Sequence, residues 1–229
     1  LLNGTPMGGA TNQAFIATAT GSYTVIVTLS GCSSNASAAT NVTVNPLPST
    51  PTITPGGPTS FCTGGSVTLT SSSASGNQWF LDGLPIGGAT NQIYVATGTG
   101  AYTVKVTSGG CTSASSAPTN VTVNPIPSTP TITPGGPTTF CDGGSVLLTS
   151  SSATGNQWFL NGVAISGQTS QTTVATAAGS YTVAVTTNGC TSANSAITTV
   201  TVNPKPNVTI TAPTNMFSGA SAAASVNHG

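Results

Sequence analysis

The chain has 229 residues, with two lysines, two aspartates, one histidine and neither arginine nor glutamate, so that 2% of it is charged; an ordinary globular chain is about a quarter charged. With no basic surface to displace counterions from phosphate it is not a nucleic-acid binder, and it lacks the acids for paired-carboxylate hydrolysis or a carboxylate metal cage. Nothing approaches the run of about 18 apolar residues that spans a membrane, and no targeting segment is visible.

A repeat organises everything that follows. Cys32, Cys111 and Cys190 recur at one constant step, and Tyr23, Tyr102 and Tyr181, then Pro46, Pro125 and Pro204, keep the same step. Residues 47–125 and 126–204 agree at 57 of 79 positions without a gap. In chain order, residues 1–46 read as the C-terminal part of a repeat, 47–125 and 126–204 as complete repeats, and 205–229 as the N-terminal part of a further one. In that last stretch Val208-Thr209-Ile210-Thr211 echoes Thr131-Ile132-Thr133, but Ser218 follows Phe217 where Cys141 follows Phe140. Such ends are what a window on a longer array would have.

Within a repeat the elements are strand, turn, strand. Ser66–Thr70, Tyr102–Thr107 and Asn120–Asn124 alternate Val, Leu or Tyr with Thr, Asn or Lys, the period-two pattern of half-buried antiparallel strands. Asp82-Gly83 and its counterpart Asn161-Gly162 predict tight type I′ hairpin turns, whose two central residues need positive φ. No apolar period of 3.6 persists long enough for a helix. Six or seven short strands in each repeat predict an all-β, immunoglobulin-like sandwich, repeated in tandem.

The cysteines read as staples for small sandwiches with little core. Each complete repeat has two, 49 apart. The expected pairs are Cys62–Cys111 and Cys141–Cys190, with the partner of Cys32 outside this chain; closing a loop of about 50 residues stabilises by roughly 4 kcal/mol. Zinc, the rival, wants four closely spaced Cys or His ligands, and this chain offers one cysteine at a time and no repeated histidine. No metal site, cofactor or catalytic residue is expected. Disulfides imply an oxidising, extracellular setting.

Several residues carry both a functional and a plainer reading. Trp79 and Trp158 are expected in the core, leaving the neighbouring Phe80 and Phe159 as possible ligand contacts. The three repeated tyrosines are expected to be core or corner residues. Asp82 aligns with Asn161 and Asn3, and Asp142 with Thr63, so both acids read as turn residues. Lys105 aligns with Ala184 and Ile26 on a solvated strand face.

A cysteine followed by Gly-Gly-Ser-Val-x-Leu-Thr, a tryptophan further on (Trp79 or Trp158), then Tyr-Thr-Val-x-Val-Thr, Gly-Cys-Thr-Ser-Ala and Val-Thr-Val-Asn-Pro resembles the immunoglobulin-like repeats of large secreted and cell-surface proteins of Bacteroidota. The resemblance covers nearly the whole chain and is strongest in 60–125 and 139–204. It implies a stalk, spacer or adhesin shaft at the cell surface, exported by the type IX secretion route. The expected function is therefore that of a non-catalytic structural module; the alternative is a carbohydrate- or surface-binding adhesive module. The expected partners are neighbouring repeats of the same protein, copies of the chain assembling head to tail into fibres by strand addition, and a polysaccharide or surface ligand.

Overall fold

The computed structural model describes residues 1–211, 218 and 225–228, and those residues form strands, turns and loops only. They fall into two compact units, Leu1–Thr59 with Ser66–Thr122, and Ser60–Gly65 with Val123–Gly229. None of the described residues forms a helix long and apolar enough to cross a membrane.

The leading segment has four short strands: β1 (Gly21–Tyr23), β2 (Thr28–Leu29), β3 (Cys32–Ser33) and β4 (Thr40–Val42). β1 pairs antiparallel with β4, Gly21 opposite Val42. The first complete repeat follows with β5 (Ile53–Pro55), β6 (Ser60–Cys62), β7 (Val67–Ser71), β8 (Asn77–Leu81), β9 (Leu84–Pro85), β10 (Ile93–Ala96), β11 (Gly100–Ser108), β12 (Cys111–Thr112) and β13 (Thr119–Asn124). One sheet runs β10-β7-β5, and the other runs β6-β13-β11-β8-β9 with β12 on β11. The second repeat reproduces this with β14 (Ile132–Pro134), β15 (Thr139–Cys141), β16 (Val146–Ser150), β17 (Asn156–Leu160), β18 (Val163–Ala164), β19 (Thr172–Ala175), β20 (Gly179–Thr187), β21 (Cys190–Thr191) and β22 (Thr198–Asn203). Its sheets are β14-β16-β19 and β15-β22-β20-β17-β18 with β21 on β20. The extra strands beyond the six or seven expected are two- and three-residue edges, too short to leave a periodic signal.

The alternation read in the sequence places the core. In the first repeat Val67 and Leu69 of β7, Trp79 of β8 and Tyr102, Val104 and Val106 of β11 are all buried. In the second, Val146, Leu148, Trp158, Ala175, Tyr181, Val183 and Val200 form the corresponding cluster, with Ile132, Phe140, Leu160, Ile165 and Val202 packed at its rim. The leading segment repeats the register of the later sheet, since Gly21 opposite Val42 matches Gly100 opposite Val121. Among the described residues it has no counterpart of the β10-β7-β5 sheet, only β1-β4 and the small hairpin β2-β3. Val25 is accordingly 60% exposed where its counterpart Val104 is fully covered.

At the other end β23 (Val208–Thr211) pairs antiparallel with β24 (Ser225–His228), Ile210 opposite Val226. This matches the pairing of β14 with β16, where Ile132 lies opposite Ser150. The reading of 205–229 as an opening repeat falls partly on residues 212–217, 219–224 and 229, which lie outside the described residues.

Candidate functional site

The residues singled out by the sequence divide into those that recur in every repeat and those that do not. The recurring ones perform structural tasks, and the cysteines are the most informative of them. The structure bonds Cys62 to Cys190, with Cα atoms 5.6 Å apart and a sequence separation of 128; Cys32, Cys111 and Cys141 carry free thiols. This corrects the expected pairing within each repeat.

The reason is the strand path. β15 runs parallel to β22 with Cys141 opposite Asn203, and β20 runs antiparallel to β22 with Gly179 opposite Val200. Cys141 therefore lies beyond the start of β20, whereas Cys190 follows its end. A nine-residue strand separates such positions by about 30 Å, far beyond the roughly 7 Å that a disulfide tolerates between Cα atoms. Cys62 and Cys190 both belong to the second compact unit. The Cys62 sulfur lies 3.8 Å from the Gly189 carbonyl oxygen, and the Cys190 sulfur 3.8 Å from that of Asn124. The bond thus joins the segment 47–125 covalently to the segment 126–204.

Trp79 and Trp158 point inward and are fully buried, as their alternate positions on β8 and β17 require. Each indole N–H donates to a loop carbonyl, Asn91 at 2.9 Å and Ser170 at 3.0 Å, so burial leaves no unpaired donor. The tyrosines are corners. Tyr23, Tyr102 and Tyr181 donate their hydroxyls to the carbonyls of Ala19, Gly98 and Ala177, four positions upstream in each case. Burial pushes the Tyr102 hydroxyl above the ordinary tyrosine value, with the Gly98 hydrogen bond acting in the opposite direction. A raised value in the folded state means stability that is full below about pH 10 and is lost as pH rises through the folded value. With its free thiols alkylated, the chain should lose unfolding free energy above pH 10, measured by urea titration at each pH; a loss beginning well below that would contradict the assignment.

Asp82 and its counterparts explain why a carboxylate can become an amide between copies. Asp82, Asn161 and Asn3 all hold positive φ, near 50°, followed by Gly83, Gly162 and Gly4 in the same region, as the type I′ turn demands. In each, the side-chain Oδ1 accepts a backbone N–H 2.9 Å away, from Ala101, Ser180 and Ser22 respectively. Only an acceptor oxygen is used, and both residue types supply it.

One recurring pair was not singled out from the sequence. After the second cysteine the chain runs beside the outer edge of β11, and Ser113 and Ser116 stand in for a ladder strand. Their hydroxyls accept the N–H groups of Val106 and Val104, both at 3.0 Å, and Ser192 and Ser195 repeat this at Val185 and Val183. Ser34 and Ser37 do the same for Val27 and Val25. Spacing of three, recurring at the step of the whole repeat, was the available signal. Ser195→Ala would leave a buried N–H unpaired and should cost about 1–3 kcal/mol, read as a lowered urea midpoint; an unchanged midpoint would show that the hydroxyl contributes nothing.

The remaining residues assemble no shared chemistry. Phe80 and Phe159 are half-buried on the outer faces of β8 and β17. The Lys105 ammonium sits 5.2 Å from the Phe80 ring centroid, a cation–π contact that Ala184 cannot make over Phe159. Tyr94 stacks obliquely between Trp79 and Tyr102, at 5.8 and 5.7 Å, while Thr173 takes its place in the second repeat. Among the described residues no three His, Cys, Asp or Glu side chains gather as a metal site would require.

Comparison with known proteins agrees with this geometry. The domain family described as "Ig-like domain CHU_C associated" matches residues 48–125 and again 127–204. No curated protein sequence matches the chain. Among solved structures, the human OSCAR ligand-binding domain is similar at 15% identity and a TM-score of 0.29, over 67% of this chain and 99% of that one; a likeness that weak carries no argument.

Proposed function

Because the chain belongs to the Bacteroidota-type family of Ig-like domains described as CHU_C associated, we propose that it is a non-catalytic structural module, one segment of a long stalk, fibre or adhesin shaft outside the cell. Domains of this family occur in cell-surface proteins and Ig-like domains are typically non-enzymatic, which fits a shaft secreted to the bacterial surface, by the type IX route. The observation that carries the reading is the Cys62–Cys190 bond. It fastens one repeat to the next instead of closing each on itself, which is what a fibre under tension needs and an independent binding domain does not.

The side chains support the same reading. Apart from Phe80 and Phe159, the recurring residues singled out above fill a core, cap a turn, close a corner or complete a strand edge. Proline at 46, 125 and 204 fixes φ and stiffens each junction. A second reading, an adhesive module for polysaccharide, rests on the half-exposed rings of Phe80 and Phe159. It is the weaker of the two because Lys105 contacts one ring only.

Light scattering with small-angle X-ray scattering on native, non-reduced material tests the shaft. An elongated particle of one polypeptide far heavier than 22.2 kDa by denaturing mass is the expected result. Subunits of that mass, filamentous when native, would replace the single polypeptide with head-to-tail assembly. A compact monomer would sink both.

A further inference from the structure

The bonded pair has two unbonded likenesses in the same chain. Cys111 occupies the position of Cys190 one repeat earlier, and its surroundings match. The Cys111 thiol is 3.7 Å from the Asn45 carbonyl oxygen, as the Cys190 sulfur is 3.8 Å from that of Asn124. The Asn45 amide donates to the Gly109 carbonyl at 2.6 Å, and the Asn124 amide reaches the Asn188 carbonyl at 3.4 Å. Each set lies within one compact unit. On the other side Cys141 repeats Cys62. Asp142 N–H donates to Asn203 at 2.8 Å as Thr63 N–H does to Asn124 at 2.9 Å, and Gly144 and Gly65 close the same turn onto the cysteine carbonyls. One cradle of each kind is filled by a disulfide, and its copy holds a thiol.

We propose that the first cysteine of every repeat bonds to the second cysteine of the following repeat, so that Cys141, Cys111 and Cys32 are half-rungs of a disulfide ladder that continues into the flanking repeats of the same polypeptide. This goes beyond the shaft reading, since a shaft needs only one fastening and the ladder fastens each junction at which both cysteines are present. Cys141 takes the second cysteine of the repeat after it, and Cys111 and Cys32 take the first cysteines of the repeats before theirs. The chemistry is thiol–disulfide exchange with an external low-molecular-weight or protein disulfide as oxidant. One cysteine thiolate attacks the external disulfide and releases a thiol. The partner thiolate then attacks the mixed disulfide, so that two cysteine thiols and one external disulfide give one rung and two thiols. Ser218, standing where a first cysteine is expected, marks a place where the next rung is missing.

The test uses two chains refolded with oxidised glutathione, alkylated and mapped by non-reducing peptide mass spectrometry. In the first, a duplicate of residues 126–204 is inserted between Pro204 and Lys205. The ladder predicts a peptide linking Cys141 to the second cysteine of the insert, with Cys62–Cys190 retained. Cys141 found alkylated, or joined to Cys190, overturns it. The second is the full chain carrying Cys62→Ser, in which Cys190 and Cys141 should both be alkylated in full. A Cys141–Cys190 peptide there would show that pairing within a repeat is accessible and would sink the ladder even if the extended chain failed to fold.

Discussion

Replacing Trp158 with alanine should destabilise the second repeat by about 3–5 kcal/mol while leaving the first intact. The indole is fully buried among Leu148, Val183 and Tyr181 and donates to Ser170. Its loss removes the largest side chain of a small core and leaves a cavity between two sheets that cannot collapse onto it. Folded domains hold only about 5–15 kcal/mol in total, so a large share of the repeat's stability is at stake. The chain has two tryptophans, one per complete repeat, and in Trp158→Ala the remaining Trp79 reports on the other repeat. Calorimetry should show one transition moved to lower temperature while Trp79 fluorescence follows the unshifted one. Loss of both transitions together would mean that the repeats unfold as one cooperative body.

Removing the disulfide has a comparable effect through the unfolded chain. Closing a loop with a sequence separation of 128 restricts the unfolded ensemble by up to about 5 kcal/mol in the chain-entropy picture, less where the native bond is strained. Cys190→Ser should lower the thermal midpoint by several degrees, and reduction of the unaltered chain should do the same. Cys111→Ser, which touches a free thiol, should leave the midpoint where it was. If Cys111→Ser were as damaging as Cys190→Ser, the pairing described here would be wrong.

The sheets, the turns and the core were readable because each depends on residues close in sequence. Period-two alternation placed Trp79, Tyr102 and Val104 inward, and Asp82-Gly83 specified a turn whose φ values only Asn, Asp and Gly hold cheaply. The alignment of Asp82 with Asn161 marked a turn residue, while the acceptor oxygen that both side chains supply is visible only in the structure. The disulfide was misread because a cysteine separation says nothing about direction along a strand. Spacing of 49 within a repeat looked like a loop to be closed, but β11 and β20 each carry their chain about 30 Å away before the second cysteine is reached. What decides the pairing is the parallel alignment of the short strand β15 with the end of β22. So short an edge, set off by Pro137, has no pattern of its own. Ser113 and Ser116 were passed over for a related reason: serine is so frequent here, 29 residues beside 44 threonines, that composition hid a spacing repeated three times.

The most direct test of a fastened, force-bearing shaft is to pull the whole chain from its two ends in a single-molecule instrument, oxidised and then reduced. Through Cys62–Cys190 the tension bypasses residues 63–189, which hold most of both cores. The account predicts no unfolding step from that segment in the oxidised chain, and on reduction a release of the enclosed chain, separation 128, adding about 420–460 Å of extended length. Two releases of about 160–180 Å each, the length of the shorter loops, preceded by partial extension of each repeat while oxidised, would place the bonds inside the repeats and contradict it.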